Sequence, residues 1–147
     1  MLLSACFLAD QATNGYATVK RDGPDLFIAV CTDVQVGSIS FGEEGSSVAE
    51  GDKAFWEAET SVRTLRRGDV LSTNPDVTPA IPGEYRRSPK LEAGGTIFVA
   101  LSKSQEAVAG ITALFEIPEN GLSSSHWLHE NGNTTRDPCD GIYPAPK

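Results

Sequence analysis

Cations are scarce in this sequence. Twelve lysines and arginines stand against 20 aspartates and glutamates, a formal net charge of -8. That deficit argues against a nucleic-acid partner, because phosphate binding needs a cationic surface; the acidic exterior serves solubility. Methionine occurs once, whereas glycine occurs 14 times and proline nine times. Such a balance favours strands joined by turns over a helical bundle. Histidine occurs twice, and there is no Gly-x-Ser-x-Gly, no Cys-x-x-Cys pair and no glycine-rich phosphate loop. Three common catalytic signatures are therefore missing, and nothing calls for a cofactor. What remains is a length of 147 residues, which suits one domain around one core.

The strongest signals are two short runs rich in β-branched and aromatic residues, Thr96 to Ser102 and Ile111 to Ile117. Both read as buried strands, and Lys103 to Gly110 joins them into a hairpin. In the second run Ile111, Ala113, Phe115 and Ile117 share one face and Thr112 and Glu116 the other. The core is expected to close over Phe98 and Phe115. Tyr16 to Lys20 and Leu26 to Cys31 form an earlier hairpin across the turn Arg21 to Asp25, where Asp-Gly tolerates positive φ and Pro24 fixes its own. In Val34 to Phe41 the apolar pairs Val34/Val36 and Ile39/Phe41 have opposite parity, so a bulge at Gly37 or Ser38 is needed to bring both inward. Trp127 to Glu130 is a last short strand, followed by a turn at Asn131 to Asn133. The sum is an all-β protein, an immunoglobulin-like antiparallel sandwich of about seven strands over residues 16–141.

Three stretches fit that scheme less simply. Gly42 to Asp52 reads as a polar loop; Glu43, Glu44, Glu50 and Asp52 lack the alternating spacing of a calcium cage and are expected to be a solvated charge run. In Lys53 to Arg67, Phe55, Ala58, Val62 and Leu65 recur at helical spacing. The β context on both sides favours a strand at Ala54 to Glu59 followed by a short irregular piece. Val70 to Gly95 is a long, proline-rich connection, and such connections are often functional. Tyr85, Arg86 and Arg87 at its centre form a small cationic spot, the candidate ligand loop.

The three cysteines give a compartment. Leu3, Ser4, Ala5 and Cys6 resemble the lipobox of bacterial lipoproteins, which implies an acylated Cys6 as the mature N-terminus and a spacer from Phe7 to Gly15. Five residues precede Cys6, short of the charged and apolar regions of a signal, so residues 1–15 are expected to be a truncated signal, lipobox and spacer. In an exported protein three cysteines leave one over; with lipid on Cys6, Cys31 and Cys139 pair. In a reducing cytosol they would remain thiols, one buried and one exposed. The loop closed by a disulfide, about 108 residues, gives a chain-entropy stabilisation of about 4–5 kcal/mol as an upper figure. Residues 142–147 are expected to be a disordered tail unless that bond holds them.

In layout the chain resembles small exported β-sandwich lipoproteins of Gram-positive bacteria. The resemblance rests on the lipobox, a cysteine ending an early strand, Phe55 with Trp56, the glycine break before Thr96 and the Phe-Glu-Ile strand ending at Pro118. It implies a membrane-anchored cell-surface location and a sandwich fold, and it brings no catalytic signature.

The leading expectation is accordingly a non-catalytic extracytoplasmic domain, tethered to the membrane by lipid, that binds or props a protein or cell-wall partner through its loops. A different class is a metal-dependent or serine hydrolase using His126 and His129, with Glu130 or Asp137 as further ligands or Ser123 to Ser125 supplying a nucleophile. On a strand the two histidines point to opposite faces, which speaks against a shared metal. A third is a virion or cell-surface decoration domain, in which Leu3 to Cys6 is accidental. Asn133, Thr134 and Thr135 form a glycosylation sequon without consequence in a bacterial protein.

Overall fold

The structure is a computed structural model that describes residues 14–44, 54–104, 106, 107 and 109–143. Its strands are β1 (Ala17–Asp22), β2 (Asp25–Val30), β3 (Val34–Glu44), β4 (Ala54–Leu65), β5 (Val70–Ser72), β6 (Gly83–Tyr85), β7 (Thr96–Ser102), β8 (Ile111–Glu116), β9 (Trp127–Leu128) and β10 (Thr134–Thr135). No helix occurs among the described residues. Two five-stranded antiparallel sheets face each other, sheet A in the order β10-β9-β1-β2-β5 and sheet B in the order β6-β4-β3-β7-β8. Seven strands carry the fold: β1-β2-β5 against β4-β3-β7-β8 is the immunoglobulin-type pairing of A-B-E against C′-C-F-G. The remaining β6, β9 and β10 are pieces of two or three residues, so the expected count of about seven holds for the principal strands and not for the ten among the described residues.

Local chemistry accounts for the hairpins. Asp22 pairs with Asp25 across Gly23 and Pro24. Gly23 has φ 58°, and a positive φ followed by proline's fixed negative one is the turn whose twist matches paired strands. β7 and β8 pair from Thr96↔Glu116 to Leu101↔Ile111, as the two apolar runs required. The register of β3 on β4 shifts between Val36 and Ser38, where Gly37 alone faces residues 60–62. A Cβ on Gly37 would lie 2.3 Å from the Lys103 carbonyl oxygen, so only glycine fits. The shift lets Val34, Val36, Ile39 and Phe41 all enter the core.

A second shift follows between Phe41↔Trp56 and Gly42↔Ala54, leaving Phe55 as the extra residue on β4. That bulge buries two consecutive aromatics, Phe55 and Trp56, with Trp56 stacked on Phe41 at 4.9 Å. β4 runs to Leu65, which corrects the irregular piece expected after Glu59: pairing with β3 at Ala54 to Glu59 and again at Arg63 to Leu65 outweighs the helical spacing. The polar loop expected from Gly42 begins later, because β3 continues to Glu44; residues 45–53, with Glu50 and Asp52, lie outside the described residues. Val70 to Gly95 is less bare than expected, since it contains β5 and β6.

The core lies between the sheets, with Val19, Ile28, Phe41, Val99, Leu101 and Phe115 among its fully buried members. Phe98 does not belong to it. In β7 the buried side chains are Ile97, Val99 and Leu101, and Phe98 alternates to the outer face, half-buried. Phe115 does close the core.

A third layer covers part of the sandwich. Cys31 and Cys139 form a disulfide with Cα atoms 5.3 Å apart. It holds the C-terminal segment over the outside of sheet A, where Thr18 donates its hydroxyl to the Pro138 carbonyl at 3.0 Å. Thr18 and its cross-strand neighbour Ala29 are fully buried although they point away from the inter-sheet core.

Candidate functional site

The expected ligand loop is built into the fold. Tyr85 pairs with Trp56 and so points inward, toward sheet A. Its hydroxyl and that of Thr73 both donate to Asp25 Oδ1, at 2.6 and 2.8 Å. Burial first, then donation to the Asp25 carboxylate, pushes the Tyr85 phenol up to about 12, with the Thr73 contact acting the other way. Arg86 bridges Glu57 at 3.3 Å and Glu84 at 2.9 Å. Arg87 meets Glu43 at 2.6 Å. Tyr85 thus links the two sheets at one edge, Arg86 and Arg87 are held by carboxylates of sheet B, and the cationic spot is matched by three carboxylates.

Glu43 is the residue that sequence reasoning misplaced. It is buried, 8 % exposed, and continues the inward series Ile39, Phe41 to the end of the sandwich. There it accepts the backbone N–H groups of Lys90 and Leu91 at 3.0 and 3.2 Å in addition to Arg87. Burial raises its carboxyl, but the Lys90 N–H, the Arg87 side chain and the Leu91 N–H outweigh that, and the pKa is lowered. Leu91 is held at φ 50°, a left-handed conformation that costs a branched side chain energy unless its surroundings fix it. The signal was the i, i+2 parity after the Gly37 shift, which carries on to residue 43.

The histidines are not brought together. His126 Nδ1 lies 2.9 Å from Ser125 Oγ, and Ser123 Oγ accepts the N–H groups of Ser125 and His126. His129 is buried, with Nε2 2.7 Å from Thr135 Oγ1. Because that hydroxyl donates to the Asp137 carbonyl at 2.6 Å, it accepts from Nε2–H, which fixes the tautomer. Burial lowers the His129 pKa and Asp140 opposes the shift. Glu130 is used elsewhere: its Oε1 accepts the Leu114 N–H at 2.8 Å on the free side of β8, beside the Asn14 N–H bound to the Thr112 carbonyl. Among the described residues no three His, Cys, Asp or Glu side chains gather as a metal site.

Around the disulfide, Arg67 collects backbone carbonyls from both ends of the chain. It donates to Cys31 at 2.7 Å, to Cys139 at 3.1 Å and to Ile142. Beside it runs an open groove of about 650 Å³, walled by Arg67, Gly68 and residues 137–143. Cys6, the expected lipidation site, lies outside the described residues.

The outer face of sheet B carries half-buried apolar side chains. One cross-strand row on it is Ala54, Gly42, Phe98 and Leu114. The next row on one side runs Glu84, Glu57, Ser40, Ala100 and Thr112; on the other side Thr96 stands beside Glu116. No protein-family profile, curated protein or solved structure matches the chain.

Proposed function

We propose that the chain is a non-catalytic extracytoplasmic domain, anchored to the membrane through acylated Cys6, that binds or props a protein or cell-wall partner. The observation that carries this reading is the Cys31–Cys139 disulfide. Structural disulfides persist in oxidising compartments, and with these two sulfurs paired Cys6 is left over for lipid. A sandwich braced by Glu43, Tyr85 and Arg67 is a rigid platform that presents surfaces. No helix among the described residues is long and apolar enough to cross a membrane, so attachment in this reading comes from lipid.

Expression from the native locus, followed by intact-mass measurement, tests the tether: diacylglycerol on Cys6 and a membrane fraction that turns soluble on Cys6→Ser are expected. An unmodified Cys6 together with free thiols at residues 31 and 139 would sink the reading. The contact of Ser125 with His126 favours a serine hydrolase as a second reading; labelling of Ser125 by a fluorophosphonate would establish it, and no labelling would remove it.

A further inference from the structure

We infer that the outer face of sheet B is a docking surface for an extended, cationic peptide segment of a partner protein, one that places an apolar side chain on Phe98 and Leu114 between two basic side chains. The inference takes the binding role proposed above as its premise and is independent of the tether.

β7 carries apolar residues on both sides. Ile97, Val99 and Leu101 enter the core, while Phe98 and Ala100 face outward. Runs apolar on both faces belong to strands covered on both faces. Among the described residues no element packs over this one, and Phe98 stands directly beside Leu114 of β8, an apolar pair set against the small residues Gly42 and Ala54. Phe98 and Leu114 are half-buried, so part of each side chain remains open to contact from an incoming side chain.

Charge decides what kind of segment fits. The outward charged side chains on the described strands of this face are Glu57, Glu59, Glu84 and Glu116; none is basic. Arg86 offsets part of the Glu57 and Glu84 charge from the edge. The same sign disfavours a second copy of this chain and favours a cationic partner. Spacing adds the pattern. Successive rows on a sheet lie two residues apart, about 7 Å, so carboxylates flank the Phe98 row one step away on each side. An extended segment has the same two-residue period, and a basic–x–apolar–x–basic stretch laid over the face matches three rows at once. Lysine and arginine stems are long enough to cover the diagonal from β4 to β8.

The test is an NMR titration of the ¹⁵N-labelled, disulfide-intact chain with the synthetic peptide acetyl-Gly-Lys-Gly-Leu-Gly-Lys-Gly-amide. Millimolar affinity is expected, with shifts confined to the strands of sheet B and largest on β3, β7 and β8. Phe98→Ser and Glu116→Lys should each weaken binding about tenfold or more, and raised salt should weaken it further through screening. Both substitutions lie on the outer face, so a retained spectrum confirms folding. Absence of shifts at millimolar peptide, equal binding of the peptide with Glu in place of Lys, or shifts confined to residues 129–143 would each overturn the inference. So would shifts of the face that grow with protein concentration alone, which would make a second copy its occupant. An unlipidated Cys6 would remove the tether and leave this titration unchanged.

Discussion

β2 and β7 are close in sequence character and different in setting. β2 reads Asp-Leu-Phe-Ile-Ala-Val and β7 Thr-Ile-Phe-Val-Ala-Leu-Ser, each apolar on both sides. In β2 the demand is met from within the chain: Leu26, Ile28 and Val30 enter the core, while Ala29 is buried beneath the C-terminal segment. Phe27 on the same outer side meets Trp127 at 6.5 Å, and the Lys20 ammonium lies over both rings. In β7 the outer residues are half-buried, and the described chain supplies no such layer. Among the described residues, therefore, one face of the sandwich is closed by the chain's own tail and the other has no such cover. A disulfide on the closed side is what makes the asymmetry possible: a segment with few apolar anchors, residues 136–142, stays on sheet A because Cys139 is bonded to Cys31 and Arg67 gathers its carbonyls.

Truncating the two phenylalanines of sheet B separates its inner from its outer face most sharply. Phe115→Ala should cost about 3–5 kcal/mol through the cavity it leaves, whereas Phe98→Ala should cost only about 1–2 kcal/mol, because that ring is half-buried on the outer face. Urea unfolding of the two variants reads the difference. Equal losses would mean that the outer face is packed after all.

Next in size is the staple. Cys31→Ser combined with Cys139→Ser should remove about 2–5 kcal/mol. Hydrogen exchange should then quicken at His129, Gly132 and Ile142, whose N–H groups are bonded within the C-terminal segment, well before β7 and β8 are affected. Uniform loss of protection across both sheets would break the contrast between a face covered by a tail and a face with no tail to lose.

Glu43→Gln probes the end of the sandwich that both sheets share. Exchanging a carboxylate that holds Arg87 and two backbone N–H groups for an amide should cost about 1.5–3 kcal/mol. The folded-state pKa is lowered relative to the ordinary value of 4.5. The native state therefore holds fewer protons than the unfolded chain in that range. Stability from Glu43 is present above the ordinary carboxylate range and is lost as pH falls through it to the lowered folded value. The Gln variant should lack this acid-side component in thermal melts between neutral pH and pH of about 3, and an unchanged acid profile would show that Glu43 does not carry it.

Much of this was legible because single residues carried the constraint. Gly37 announced a register shift through the parity of its neighbours, and the two apolar runs announced the β7–β8 hairpin. Cysteine arithmetic paired 31 with 139. Other features depend on partners far away in the chain. The helical spacing of Phe55, Ala58, Val62 and Leu65 is real, yet eight of the 12 residues of β4 pair with β3, and tertiary pairing wins over a local pattern. Glu43 looked solvated because its neighbours in sequence are acidic, and only the arrival of residues 87–91 makes its burial tolerable. Tyr85 to Arg87 looked free for the same reason: the carboxylates that hold them sit on β2, β3, β4 and β6. The expectation that the core closes over Phe98 conflicts with its parity against Ile97 and Val99, which puts it on the outer face.

Tyr85 is the smallest and most specific probe, since it is a direct hydrogen-bonded link between the sheets. Tyr85→Phe keeps the ring on Phe55, 6.5 Å away, and removes only the hydroxyl from Asp25 and Thr73. The expected loss is about 1 kcal/mol, because Thr73 still donates to Asp25. The alkaline limb should change more clearly than the midpoint. A phenol raised from 10.0 to about 12 stays protonated in the folded chain after the unfolded chain has released its proton. Its contribution is thus complete below pH 10.0 and declines as pH rises toward about 12. The ring is 40 % exposed, so solvent screening keeps this contribution modest. Ultraviolet titration of tyrosinate in the native and Tyr85→Phe chains should show a late-titrating phenol in the first that is lost in the second. If the late phenol survives the substitution, the hydroxyl does not bridge the sheets, and the closed and open halves of the sandwich are joined by their core alone.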